Sequence, residues 1–265
     1  MSVSIHPSAH VDKKAQLEDG VEIGPLCVVG PDVKLGKNVK LIGQVNLAGD
    51  TTIGADSSLY PFVSMGHPPQ DFKHKGGPVS IKIGERNTFR ENVNIHPGTD
   101  AGKPDTIIGN DCYFMVNTHL AHEGHVGNNV VVSNGAQVGG CVTIGDNAIL
   151  GGLCAIHQFT RIGQHAFIGG MATVTRDIIP YGSVVGNPAH LAGLNVIGLK
   201  RRGFERDTIH DLRAAYRLMF AEEGTFKERI DDATRIYGEN ALVMDIVKFI
   251  NGQEKRSICL PPSGR

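Results

Sequence analysis

Tryptophan is absent from this 265-residue chain, and aromatic residues make up only 6% of it. Charge imbalance is missing too: 26 basic against 27 acidic side chains leave a formal net charge of −1. So even a balance gives the chain as a whole no electrostatic pull toward nucleic acid or an anionic membrane. No run of about 18 apolar residues is present to cross a bilayer. The opening Met1-Ser-Val-Ser-Ile-His-Pro7 has neither a basic start nor an apolar stretch, so no signal peptide is expected. The five cysteines (Cys27, Cys112, Cys141, Cys154 and Cys259) are scattered, with no Cys-x-x-Cys pair. That usage argues for a reducing compartment and against a disulfide framework. Disorder is excluded as well, because 40% hydrophobic content suffices for a large core. These absences point to a cytoplasmic chain without a transmembrane segment.

What is abundant is glycine, with 34 residues, and a six-residue period. Every sixth position from Ile5 is apolar: Ile5, Val11, Leu17, Ile23 and onward to Met65. The run resumes at Ile83, Phe89 and Ile95, slips by one residue, and continues from Ile108 through Leu120, Val138 and Ile156 to Val174. Four residues after most of these stands a small residue, such as Val21, Cys27, Cys112, Ala136 or Cys154. The small residue and the next aliphatic are two apart, so on a strand they share one face. Three such strands per lap make a three-walled prism with the aliphatics stacked inside, a hexapeptide solenoid. Eighteen residues then make one lap, and the counted hexapeptides give a prism of eight to nine laps, about 40 Å long.

Two polar, Gly/Pro-rich stretches, 66–82 and 100–107, break the period and read as loop insertions on one side of the prism. The hexapeptide domain is expected over 1–189. From 190 to 265 the pattern changes: Ile209, Leu212, Ala215, Tyr216, Met219 and Phe220 follow helical spacing. Further helices are expected near 225–238 and 240–252, with Gly224 and Gly238 as breaks.

A prism filled with aliphatics has no interior pocket, so chemistry belongs on its outer wall. The stretch Asn117-Thr-His-Leu-Ala-His-Glu-Gly-His125 crowds three histidines together. His122, Gly140 and Gln158 are spaced by eighteen residues and should stack at one corner, roughly 5 Å per step. An imidazole there can take a proton from an attacking hydroxyl. A glycine one lap away offers an unobstructed N–H to a developing oxyanion. That combination suits acyl transfer. For His125 and His165 the plainer reading, a solvated wall histidine, is preferred. A metal held by His119, His122 and His125 is disfavoured, because His119 and His125 fall on adjacent faces. Asp71 and Lys73 in the first loop are candidate ligand contacts. Lys200-Arg-Arg202, followed by Arg206, Arg213 and Arg217, forms a basic patch suited to phosphates or an acidic protein, with a solvated helix end an equal reading for the last three.

The hexapeptide array, Pro69-Gln-Asp-Phe-Lys73, His119-Leu-Ala-His122, Gly152-Leu-Cys-Ala-Ile-His-Gln-Phe159 and Asn195-Val-Ile-Gly-Leu-Lys-Arg-Arg-Gly203 resemble bacterial UDP-N-acetylglucosamine O-acyltransferases. The similarity covers nearly the whole chain. It implies a left-handed parallel β-helix followed by a C-terminal α-helical domain, assembled as a homotrimer with sites between neighbouring prisms. It implies transfer of a 3-hydroxyacyl chain from acyl carrier protein to the sugar 3-hydroxyl of UDP-N-acetylglucosamine, the first step of lipid A biosynthesis, without a metal or organic cofactor. His122 matches the family's general base and Gly140 its oxyanion donor. Asp71, His119, His157, Gln158, Asn195, Arg201 and Arg202 match positions that contact the sugar nucleotide, and Gly170 the position where the acyl tail ends. The chain departs from the family's usual pattern at Cys141, commonly His, at Glu123, commonly Asp, and at Ile197, commonly Glu. Positions 141 and 197 thus lack the family's polar sugar-binding side chains, which makes a 3-amino UDP-sugar an alternative acceptor; a zinc-dependent β-helix hydratase is a more distant alternative.

Overall fold

The computed structural model describes residues 2–252 and 256–262. Residues 1, 253–255 and 263–265, which fall within the two expected domain ranges, lie outside the described residues. Along the first two-thirds of the chain, strands of mostly two residues recur every sixth position, as in Glu22–Ile23, Val28–Val29 and Lys34–Leu35. They pair in parallel one lap apart: Ser4 lies beside Glu22, Glu22 beside Lys40 and Lys40 beside Ser58. Among the described residues this builds three walls of eleven, nine and eight strands. The architecture is a left-handed parallel β-helix. The first wall contains Glu22–Ile23 and Phe167–Ile168; the second, His119–Leu120, Gln137–Val138 and Ala155–Ile156; the third, His125–Val126, Thr143–Ile144 and Arg161–Ile162.

Packing explains the period. Each lap seats three aliphatics and three small residues inward; Val21, Cys27, Val33, Leu59, Ala136, Leu150 and Cys154 are fully buried. Each large aliphatic removed from water contributes on the order of 1.5–3 kcal/mol. Phe89 and Phe114 sit on successive laps and stack with ring centroids 5.1 Å apart. Ile5 at the open end has no lap beneath it and remains 45% exposed. At the corners the chain turns sharply by placing the third residue after the aliphatic in a left-handed conformation. Glu123, Cys141 and Phe159 do so at φ 61°, 58° and 64°.

The two expected insertions shorten at their C-terminal ends. Strands resume at Ser80 and Asp105 and run for four residues each, to Ile83 and Ile108. Ile81 and Thr106 pair there with each other and bury completely, taking the inward small position. Asp100 ties the two loops together: its carboxylate accepts from the Gly77 N–H at 2.8 Å and lies 3.1 Å from His74 Nδ1.

After Val174 the first wall ends in an antiparallel hairpin, Gly182–Val185 with His190–Leu194, which spans residue 189. Four helices follow: α1 (Val196–Arg201), α2 (Arg206–Met219), α3 (Phe226–Tyr237) and α4 (Ala241–Asn251). The apolar spacing anticipates α2, α3 and α4, while the six-residue α1 is too short for a periodic signal. Thr225 and Glu228 close a capping box at α3, satisfying N–H groups that the first turn leaves without partners. Leu212, Ala215, Met219, Ala233, Val243 and Ile246 make the buried seam of this layer. It is fastened to the prism by Arg161, whose guanidinium donates to the Gly252 and Phe249 carbonyls, and by Asp245, which accepts from Tyr181 and Gln164. The segment beyond α4 returns to the coil, where Asp177 N–H donates to Ser257 O and Cys259 N–H to Asp177 O.

Candidate active site

The corner between the second and third walls carries the column expected from the eighteen-residue spacing. Cys141 N–H donates to His122 O, and Phe159 N–H to Gly140 O, each at 2.9 Å. These bonds set His122, Gly140 and Gln158 directly above one another. A Cβ placed on Gly140 would lie 2.5 Å from His122 Cε1, so the imidazole rests on the bare glycine backbone. On either side, Gly139 and Cys141 give their N–H groups to Ile156 and His122. The Gly140 N–H makes no hydrogen bond among the described residues.

The His122 Nδ1 lies 3.3 Å from Glu123 Oε1. A carboxylate accepts, so Nδ1 carries a proton toward Glu123, and Nε2 points to the other side, 3.9 Å from Asp71 Oδ2. Glu123 is itself held by four donors: the Lys103 N–H at 2.9 Å, the Thr99 hydroxyl, the Cys141 thiol at 3.3 Å and His122. Burial pushes its carboxyl up, but those donors outweigh it and leave the group below its ordinary value. Around this corner opens a cleft of about 740 Å³. Asp71 and Lys73 from the first loop, Lys103 from the second, Gln158, Arg161 and Arg256 line it.

The other residues singled out from the sequence fall in different places. His157 is exposed beside Gln158 and accepts at Nδ1 from Arg256 at 2.7 Å. His119 faces a second, shallower cleft with Asn94, which lies 2.9 Å from its Nδ1, and packs edge-on against buried His96. Burial pushes the His119 imidazole down, and pushes His96 further, to about 4. Asn195 caps α1 and donates to His165 O at 3.0 Å; Arg202 reaches His165 Nδ1 and Asn147 O. Both gather at the corner between the third and first walls, around a His165 that is half-buried and stacked on Tyr181 rather than solvated. Arg201 is exposed at the end of α1. Gly170 lies at the remaining corner, beside exposed Met171 and Leu153. One prism therefore brings Asp71, Lys73, His122, Gly140 and Gln158 together and holds Asn195 and Arg202, and separately Gly170, on its two other edges.

A family model described as "Udp N-acetylglucosamine O-acyltransferase; Domain 2" matches residues 177–259. An acyl-[acyl-carrier-protein]–UDP-N-acetylglucosamine O-acyltransferase of Bartonella henselae is 45% identical over 257 residues, covering 97% of this chain and 94% of that protein. The chain belongs to the UDP-N-acetylglucosamine O-acyltransferase family. A second member, from Caulobacter vibrioides, is 54% identical over 203 residues, 77% of each chain. The solved UDP-N-acetylglucosamine acyltransferase of Francisella novicida superposes with a TM-score of 0.94 at 32% identity, over 98% of this chain and 95% of that one.

Sequence spacing alone misses several groups that shape this acyltransferase corner. Thr99, just ahead of the second loop, and Lys103 within it clamp Glu123 where the hexapeptide frame is lost. Arg256 arrives from beyond the last helix, and Arg161 is held by buried Asp177 at 2.7 Å. The three departures from the usual family residues divide likewise. Glu123 and Cys141 join the His122 corner, whereas Ile197 is 67% exposed on α1.

Proposed function

We propose that this chain transfers a 3-hydroxyacyl group from acyl carrier protein to the 3-hydroxyl of UDP-N-acetylglucosamine, opening lipid A biosynthesis, with His122 as general base. The observation that carries the reading is the His122 imidazole, its Nδ1 committed to Glu123 and its Nε2 facing the cleft, resting on a Gly140 whose N–H is unengaged among the described residues. The sugar oxygen attacks the thioester carbonyl carbon as Nε2 takes its proton; the carbonyl oxygen becomes an oxyanion against the Gly140 N–H. Collapse breaks the C–S bond, and the imidazolium returns the proton to the departing thiolate. The thioester is already activated, so one base, one oxyanion donor and good positioning suffice.

Asp71, Lys73, Gln158, His157, His119 and Arg201 are assigned to the sugar nucleotide, and the exposed basic patch of Lys200, Arg201, Arg206, Arg213 and Arg217 also to the acidic carrier protein or its phosphopantetheine. Asn195 and Arg202 are assigned to the same nucleotide, and Gly170 to the end of the acyl tail, although they occupy other edges of the prism. A homotrimer accounts for that separation, since a neighbouring prism turned about a threefold axis brings its other edges to the His122 cleft. No described helix is long and apolar enough to cross a membrane. Carrier-protein thioesters and a nucleotide sugar are substrates of the cytoplasm, which is where the reading places the chain.

The test is transfer from acyl-carrier-protein thioesters of several lengths to UDP-N-acetylglucosamine, with wild type and His122→Ala. Loss of a general base lowers kcat by about 10²–10⁴. A correctly folded His122→Ala chain that turns over at near-normal rate removes His122 from the mechanism.

A further inference from the structure

Cys141 stands within the reaction corner, and its neighbours give it a second chemistry. His122, Glu123 and Cys141 each offer one donor atom, and these atoms all lie within 4.8 Å of one another. His122 Nδ1 to Glu123 Oε1 and Glu123 Oε2 to Cys141 Sγ are both 3.3 Å. A tetrahedral zinc ion with one nitrogen, one oxygen and one sulfur ligand has ligand–ligand edges of roughly 3.3–3.6 Å. Two of the triad's contacts, made to opposite Glu123 oxygens, already have this length, while the full set of three donor atoms is held within 4.8 Å and draws in around an ion. The triad is also preorganised: Cys141 N–H is bonded to His122 O, Glu123 follows His122 directly, and the Glu123 side chain is only 8% exposed.

We propose that His122, Glu123 and Cys141 form a binding site for a borderline-soft divalent cation of the zinc class, and that the ion silences the enzyme by occupying the imidazole. Thiolate with imidazole and carboxylate selects zinc or cobalt over magnesium or calcium. Charge balances: one thiolate and one carboxylate neutralise a dication, with the proton released from the Cys141 thiol and water in the open position on the cleft side. A neutral imidazole has one lone pair. Whichever ring nitrogen binds the metal, none is left to accept the sugar hydroxyl proton. The inhibitory half of the proposal rests on His122 being the base; the binding half does not.

Cobalt(II) reports both parts, because a cobalt–thiolate bond gives a charge-transfer absorption that needs no turnover. Titrating the full-length, untagged chain with cobalt should give this band at one equivalent, bleached by zinc. Cys141→Ala should abolish the band, and His122→Ala should weaken cobalt binding at least tenfold. Cys27, Cys112, Cys154 and Cys259 are buried, so they supply no competing thiol. Zinc should also inhibit acyl transfer, reversibly by chelator, and the half-inhibiting concentration should rise at least tenfold in Cys141→Ala, measured against that variant's own metal-free rate. Should Cys141→Ala fail to fold, alkylation of the wild-type thiol, with the band lost in proportion, replaces it. No band in wild type, or a band that survives loss of Cys141, overturns the site. A band without loss of turnover overturns the silencing. Normal turnover by His122→Ala would instead sink the base assignment and leave the band standing.

Discussion

Adding one methyl group at Gly140 tests whether the imidazole position, as distinct from its presence, sets the rate. Gly140→Ala keeps the backbone N–H, so the oxyanion donor survives. The new Cβ would lie 2.5 Å from His122 Cε1 and 2.6 Å from Nε2, against the 3.4 Å or more of an ordinary contact. The ring must retreat by about 1 Å, and it can do so, because it borders the cleft rather than the core. That movement pulls Nδ1 off Glu123 and shifts Nε2 from its line to the sugar hydroxyl. A displacement of this size costs about 10² in rate, or about 2.7 kcal/mol in the barrier. The assay is steady-state acyl transfer, with KM for UDP-N-acetylglucosamine followed alongside kcat. Gly43→Ala is the control: Gly43 occupies the same step of an earlier hexapeptide, on the corner between the first and second walls, where the nearest atom to a Cβ is Pro25 O at 3.4 Å. A folded Gly140→Ala enzyme with kcat within threefold of wild type would refute the idea that close seating of His122 on Gly140 matters.

Two further outcomes concern stability. Burial, with His119, His122 and His67 nearby, lowers His96 to about 4. The unfolded imidazole takes its proton near 6.5 and the folded one only near 4, so stability is fully present above 6.5 and is lost as pH falls between those values. The loss is worth roughly 3 kcal/mol. Urea midpoints between pH 7 and 4 should therefore fall more steeply for wild type than for His96→Asn, and parallel slopes would exclude His96 as the source. Asp177, only 2% exposed, receives both the N–H and the guanidinium of Arg161 and holds the Ser257–Cys259 segment through its backbone. Asp177→Ala should cost about 3 kcal/mol in urea unfolding by leaving Arg161 without its carboxylate; a loss below 1 kcal/mol would show that the pair is dispensable.

Most of this architecture is written in the sequence, because a prism repeats one local rule. Ile5 to Val174 declare the walls, and the eighteen-residue lap puts His122, Gly140 and Gln158 on one corner without any long-range inference. Ile209, Leu212 and Met219 declare α2 in the same way. The rule fails where the frame is broken. Thr99 and Lys103 reach Glu123 from the edge and the interior of a loop whose length, not its periodicity, places them, and Arg256 comes from the far side of four helices. The hairpin Gly182–Val185/His190–Leu194 reverses direction within a few residues, which the parallel repeat does not foretell. His165 reads as an ordinary wall residue because Tyr181, Phe204 and Arg202, which enclose it, come from elements built on other patterns.

The left-handed bends carry a last implication. At that step of each lap the backbone is best served by glycine or asparagine, and a larger side chain there costs on the order of 1 kcal/mol. Glu123, Cys141 and Phe159 occupy three consecutive bends on the edge that bears His122. Swapping them for asparagine would give a hardier solenoid and a poorer catalyst, so thermal resilience in this molecule has been forgone at the places where its chemistry is done.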